Sequence, residues 1–311
     1  MARCQWLLQE GLFQADLLYW LGENSPVGVP GRGGLRPVPP AGYDYDVCDT
    51  EILMQLRVVD GKLLLPSGMR YSVLVLNEQR LVRPEVLEKV ASLLETGATV
   101  VAARPERSPS LMGYPHSDER LSVIAQWLWA DIDGQKVTEN PFGKGRLIWG
   151  KPLDEVLAEQ NLAPDFEYKA TEGFARLMYI HRKAGLADSW FVSNQLEREV
   201  AVDCTFRIAG KLPELWYPDT GKTEPAPFWR QENGRTIVSL RMAPAGSVFV
   251  VFRKPAEGSG ALGLLRNGKS AWDTGVDRTH TLVINNALYG VISTELPDSV
   301  DVKKRLTKLI S

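Results

Sequence analysis

The sequence predicts an α/β unit followed by an all-β unit. Three observations carry this. Between residues 43 and 160, apolar runs of strand length alternate with amphipathic stretches of helix length, the pattern of βαβ pairing. From residue 165 the period switches to two, and turn signals recur with no helical stretch between them, as in a β-sandwich. Residues 27–42, VGVPGRGGLRPVPPAG, and the stretch Pro255 to Gly268 are rich in Gly and Pro and read as connectors.

Taken in order, Ala15 to Leu21 is an apolar run broken only by Asp16, which suits a strand buried on both faces. Gly22 and Pro26 then break it. Asp49 and Thr50 offer side-chain oxygens to the free amides of a helix running to about Leu56. Val58 to Leu63 reads as a hairpin, because Asp60-Gly61 tolerates the left-handed conformation of a tight turn. Tyr71 to Leu76 is a buried strand. Pro84 opens a helix to about Glu95, with Val86, Leu87, Val90, Leu93 and Leu94 as its apolar stripe and Gly97 as its stop. Ala98 to Ala103 is the next buried strand, pairing in parallel by a right-handed crossover. A helix over 118–129, a strand over Arg146 to Trp149 and a helix over Leu153 to Glu159 complete the unit.

In the second unit Val200, Val202, Cys204, Phe206 and Ile208 alternate with more polar residues, as in a half-buried antiparallel strand. Pro218 to Gly221 and Glu232 to Gly234 are turns, and Arg235 to Met242 and Gly246 to Arg253 are strands. The tail predicts one strand, Thr281 to Asn285, and one helix, Val300 to Ile310. Such a pair cannot bury a core of its own and is expected to be the truncated start of a further module.

Length and composition bound the function. The 311 residues suit two domains, and 44% apolar residues supply their cores. A net charge of −2 gives no bulk attraction for nucleic acid. The run Lys303, Lys304 and Arg305 is a solvated helix side. Cys4, Cys48 and Cys204 are too few and too scattered for a disulfide framework or a zinc site, and read as small hydrophobes. No apolar run approaches the ~20 residues of a membrane helix. The opening MARCQWLLQEG has no signal-peptide core or cleavage site. No cofactor, metal or membrane partner is expected.

Nine strings in order resemble glycoside hydrolase family 106, the α-L-rhamnosidase-like proteins: ADLLYWLGENSP, GYDYDVCDTEIL, LLLPSGMRYSVLVL, ARPERSPSLMGYP, GRLIWG, YIHRK, WFVSNQ, ELWYPDTG and GSVFVVFR. The resemblance spans roughly residues 10–254 and implies a catalytic (β/α)₈ barrel ahead of the units above. It makes residues 1–26 the remnant of that barrel, with 15–21 its last strand, and 27–42 the connector. Residues 43–164 become an amidotransferase-like open parallel α/β domain, 165–254 an antiparallel β-sandwich, and 255–311 a linker with the start of another module. On this reading Leu17, Leu18, Tyr19 and Trp20 would lie exposed, awaiting a missing barrel segment or a second copy of the chain. Relatives of this kind are typically exported, and localisation stays open.

The resemblance implies hydrolysis of terminal rhamnose, with carbohydrate as the partner. Glycoside cleavage needs two carboxyl groups, in an inverting enzyme one as acid and one as base. No position here matches those residues, so no catalytic residue is assigned and the isolated chain is expected to be inactive. The alternative is a non-catalytic accessory module that binds carbohydrate or plays a structural part. As substrate-binding candidates, Glu23 follows the first strand, where a barrel places its pocket, with Asn24 beside it. Tyr43, Asp44, Tyr45 and Asp46 combine rings that stack on sugars with carboxylates that accept from vicinal hydroxyls. Against this, Glu23 is also explained as a loop or turn-capping residue, and Tyr43 to Asp46 as helix cap and interface packing. Arg104, Glu106 and Arg107 read as loop ion pairs anchoring the loop to the barrel. Neither the elbow after Ala103 nor His116, His181 or His280 assembles a nucleophile with a base. In the sandwich, Trp190, Trp216, Tyr217 and Trp229 are candidates for a sugar platform, although aromatics at such positions are more often core.

Overall fold

A computed structural model describes residues 2–25, 28–256 and 260–261, and also the backbone of strand segments 263–266, 269–273, 288–289 and 300–301. The chain opens with α1 (Ala2–Gln9) and a short strand β1 (Leu12–Phe13). The α/β layer contains β2 (Leu17–Trp20), β3 (Tyr45–Cys48), α2 (Thr50–Gln55), the small hairpin strands β4 (Arg57–Val59), β5 (Lys62–Leu64) and β6 (Arg70–Tyr71), β7 (Val73–Val75), α3 (Pro84–Thr96), β8 (Thr99–Val101), α4 (His116–Trp129), β9 (Glu139–Phe142), β10 (Gly145–Ile148) and α5 (Leu153–Glu159). The sheet order is β3-β2-β7-β8-β10-β9, parallel except for the antiparallel edge β9. Counting parallel strands by sequence, the order is second, first, third, fourth, fifth, a doubly wound arrangement.

Period-two alternation divides the sheet's side chains between two cores. Leu18, Trp20, Leu74, Val100 and Leu147 face α2, α3 and α4. Leu17, Tyr19, Val73, Val75 and Ile148 face α5 and the loop holding Leu35 and Tyr43. Leu17, Tyr19 and Trp20 are fully buried and Leu18 is 1% exposed. Each such side chain contributes about 1.5–3 kcal/mol by leaving water.

This corrects the barrel reading of residues 1–26. The strand Leu17–Trp20 pairs with Tyr45–Cys48 on one edge and Val73–Val75 on the other, so it leaves no edge or face for a barrel segment or a second copy. The physical reason is that an apolar strand covered on both faces has the same composition in a closed barrel and in an open parallel sheet. Residues 27–42 are likewise no connector between domains, because 28–42 belong to the crossover between neighbouring strands β2 and β3. Arg32 donates to the carbonyls of Pro39, Pro40 and Tyr43, and the Tyr19 hydroxyl donates to the Pro37 carbonyl at 2.8 Å.

The sandwich has two sheets. One runs β1-β12-β13-β19-β15-β16, with β12 (Leu177–Ala184), β13 (Ala187–Asn194), β15 (Lys211–Trp216), β16 (Thr223–Pro225) and β19 (Ser247–Pro255). The other runs β11-β14-β18-β17, with β11 (Phe166–Ala170), β14 (Val200–Phe206), β17 (Trp229–Glu232) and β18 (Arg235–Met242). Val200, Val202, Cys204 and Phe206 point inward, as their alternation predicts. In the expected linker after Pro255, backbone strand β20 (Gly263–Arg266) pairs with β21 (Lys269–Asp273). The strand expected at 281–285 lies outside the described residues. So do most of the helix expected from Val300 and its basic run. Val300–Asp301 itself is extended and pairs with Leu288–Tyr289.

A buried polar junction joins the α/β layer to the sandwich. Asp16, from the turn before β2, takes two contacts of 3.0 Å from Arg207, which also lies 3.3 Å from Asp165 and donates to the Ala163 carbonyl. Asp165 in turn accepts from His181 Nδ1 at 3.0 Å and from Trp190 Nε1 at 3.0 Å. The His181 ring stacks on Trp190 with centroids 3.7 Å apart, and its Nε2 lies 3.4 Å from Asp188, in ion-pair range. Lys211 closes on Asp188 at 2.9 Å. All four side chains of Asp16, Asp165, His181 and Asp188 are buried.

Two outcomes are predicted here. Arg207→Ala strands Asp16 and Asp165 without their cation, and equilibrium urea unfolding should show a loss of about 3 kcal/mol or more. Burial opposes the charged form of His181, but hydrogen bonds and charges from Asp165 and Asp188 outweigh it and raise its pKa. Its contribution is therefore complete below the unfolded value of about 6.5 and is lost as pH rises through the raised folded value. As pH rises above about 6.5, wild-type protein should lose more stability than His181→Gln, in which this titration is gone.

Candidate functional site

The strand order fixes where a ligand site can form. In an open α/β sheet the loops after the first and third strands leave in opposite directions, and a crevice opens beyond their carboxyl ends. Here the loop after β2, the first strand, begins Leu21-Gly22-Glu23-Asn24, the loop after β7, the third, runs to Arg83 at the start of α3, and Asp49, Thr50 and Glu51 follow β3, the second. Together with Arg83 they line a cleft of about 390 Å³. The cleft is open and its lining is dominated by polar side chains.

Backbone geometry sets the first wall. Gly22 has φ +92°, a conformation that favours glycine, and a Cβ there would lie 2.4 Å from Gln79 Oε1 and push that side chain aside. Asn24 Nδ2 donates to that same Gln79 oxygen at 3.1 Å. Glu23 is aimed back at the protein. One carboxylate oxygen accepts from Arg83 Nε at 2.5 Å and from Thr50 Oγ1 at 3.2 Å, and the other from the Arg83 backbone N–H at 3.1 Å. Thr50 in turn accepts from Trp20 Nε1 at 3.1 Å. Trp20, Thr50, Glu23 and Arg83 thus form one chain of contacts from the sheet core to the start of α3. Asp49 caps α2, accepting from the Ile52 amide at 2.9 Å.

The other candidates do not converge on this cleft. Tyr43 is buried and donates to the Leu162 carbonyl at 2.7 Å. Asp44 accepts from the Tyr45 amide, and burial raises its pKa to about 6 although that bond and Arg32 lower it. Tyr45 stands edge-on to Tyr19 at 5.9 Å, with the Arg32 guanidinium 5.6 Å over its ring. Asp46 accepts from Tyr71 at 2.8 Å. Alternation along β3 turns Tyr45 toward the α5 side and Asp46 toward the hairpin side, so GYDYD forms no single surface.

Glu106 pairs with Arg80 of the same layer at 3.0 Å, so this ion pair anchors its loop internally rather than to a barrel. His116 contacts Glu119 on the surface, His181 belongs to the junction, and His280 lies outside the described residues. Trp190 and Trp229 are core, and Trp216 carries the Arg253 guanidinium 5.2 Å over its ring. Tyr217, on the opposite face from Trp216, packs against the sandwich core. Cys48 and Cys204 are buried thiols, and burial pushes Cys48 up to about 12. Among the described residues no three His, Cys, Asp or Glu side chains gather to hold a metal, and no helix is long and apolar enough to cross a membrane. Sequence reasoning missed Arg83 and Thr50 as partners of Glu23. The available signal was Pro84, which marks a helix start beside the cleft.

A family model described as alpha-L-rhamnosidase matches residues 1–230. A protein named "Putative beta-glucuronidase" from Formosa agariphila is 32% identical over 259 residues, which are 83% of this chain and 21% of that protein. The structure of a rhamnosidase from Novosphingobium sp. PP1Y aligns with a TM-score of 0.71 at 32% identity, covering 84% of this chain and 24% of that one. The chain spans about a fifth to a quarter of the length of these two relatives.

Replacing Glu23 tests whether its contacts hold the cleft together. Glu23→Ala leaves Thr50 and the Arg83 amide without their acceptor, and should cost about 1–3 kcal/mol in thermal or denaturant unfolding. An unchanged midpoint would mean that the carboxylate carries no structural share.

Proposed function

This chain belongs to glycoside hydrolase family 106, the alpha-L-rhamnosidase family, and on that premise we propose that it is the α/β and sandwich portion of an enzyme that removes terminal rhamnose from polysaccharides or glycosides. The match over residues 1–230 carries the reading, since it runs through the whole parallel sheet and into the sandwich.

Within such an enzyme its part is to bind and hold rather than to move protons. Hydrolysis needs one carboxyl group free to protonate the leaving oxygen and another free to activate water. In the switch-point cleft the Glu23 oxygens already accept from Arg83 and Thr50, and Asp49 already caps a helix. These fixed carboxylates suit acceptance of a sugar hydroxyl at the edge of a pocket. Tyr43, Asp44, Tyr45 and Asp46 lie at the other end of β3 from this cleft and are engaged with Leu162, Arg32 and Tyr71, so they take no part in that edge. The same commitment of carboxylates favours a second reading, a non-catalytic module that contacts carbohydrate on behalf of a catalytic partner.

Incubation of the purified chain with an aryl α-L-rhamnoside tests the division of labour. No release of the phenol above the uncatalysed rate is expected. Steady turnover that survives repurification would overturn it.

A further inference from the structure

One end of the sandwich opens into a cleft of about 550 Å³ between its two sheets. That volume lies within the range of small-ligand pockets. Its floor is apolar, formed by Leu215, Leu240, Met242 and Val248 from facing strands. Its mouth is polar and aromatic, with Tyr217, Asp219, Glu224 and Phe228.

Both rims are built. The turn Ala243 to Gly246 is held by Asn194, which is buried, donates to the Ala243 carbonyl at 2.9 Å and accepts through its own carbonyl side the Leu196 amide at 3.0 Å. The Asn194 amide also reaches the Gly246 carbonyl at 2.9 Å. Opposite, the turn Pro218 to Gly221 is held by Arg3, which donates to the Pro218 and Asp219 carbonyls at 3.1 and 3.0 Å. Paired charges line the cleft: Glu224 pairs with Lys222 at 2.6 Å and accepts from Tyr217, and Arg241, which also lines it, pairs with Glu199 at 3.2 Å. A polyanion would meet Asp219 and Glu224, and a fatty chain would have to leave those carboxylates facing it. A neutral ring with hydroxyls on one side and an apolar edge on the other satisfies both mouth and floor.

We propose that this cleft is a saccharide site whose occupant is a neutral 6-deoxyhexose, its hydroxyls toward Asp219 and the mouth and its methyl group on the Leu215, Met242 and Val248 floor. The identity of the sugar rests on the rhamnosidase-family reading above; the site itself rests on the cleft.

Calorimetric titration of the full chain with L-rhamnose, and with L-mannose as the analogue bearing a hydroxyl on that methyl, tests it. L-rhamnose should bind about tenfold more tightly, the discrimination of one apolar group in an apolar pocket. Ala243→Trp, at an exposed rim position that acts through its backbone, should abolish binding with unchanged thermal unfolding. Asp219→Ala, at the exposed mouth, should weaken it several-fold should the tryptophan variant fail to fold. Asn24→Ala, in the switch-point cleft, should leave the preference for L-rhamnose over L-mannose intact, because that preference belongs to the sandwich floor. Binding lost in Asn24→Ala but kept in Ala243→Trp overturns the sandwich site and leaves the family reading standing. Equal affinity for the two sugars overturns the role of the floor. Absence of saturable binding to either sugar overturns the site, whereas the hydrolase reading is judged separately by rhamnoside turnover.

Discussion

The contact between Arg207 and the carboxylates of Asp16 and Asp165 is the constraint on which the rest of the architecture depends. Asp16 sits just before β2, the first strand of the parallel sheet in sequence, and Asp165 just before β11 of the sandwich. A guanidinium between them ties the first element of one layer to the first of the other. A buried charge without its partner is costly, so a docking that separated Arg207 from these carboxylates would be penalised. His181 and Trp190 extend the same logic inward, so the orientation of the two layers is written in hydrogen bonds rather than in apolar area alone.

Much of the local structure was legible in the sequence. Asp49 before Thr50, Pro84 before an apolar stripe, Asp60-Gly61 and Asn233-Gly234 each specify a cap or turn by chemistry confined to a few residues, and the elements follow. What the sequence could not carry is which strand lies beside which. Leu17 to Trp20 is apolar on both faces, and nothing in that run distinguishes a barrel from an open sheet. Its neighbours come from Tyr45 and Val73, reached through loops whose Gly and Pro content imitates a linker. Arg32, which organises that loop through three carbonyls, has no local signature at all.

The candidate site shows the same division. The position of Glu23 after the first strand was readable, but its partners were not, because Thr50 and Arg83 arrive from distant segments. Their arrival changes what the carboxylate can do. An acid that accepts three hydrogen bonds from its own chain is a fixed acceptor on a wall, and the chemistry of bond cleavage has to be supplied by groups with greater freedom.

The first residues of the chain also have a mechanical meaning. Leu12 and Phe13 pair with β12 of the sandwich, Gln14 donates to the His181 carbonyl, and by Leu17 the same backbone is in the parallel sheet. Gly11, whose φ of +66° and 2.2 Å approach to the Lys183 carbonyl exclude any side chain, fixes the angle at which the segment enters. A single extended stretch is therefore stitched to both layers. A pull on it loads the two sheets together, in shear, so tension arriving from the amino side would reach the sandwich and the parallel sheet as one load.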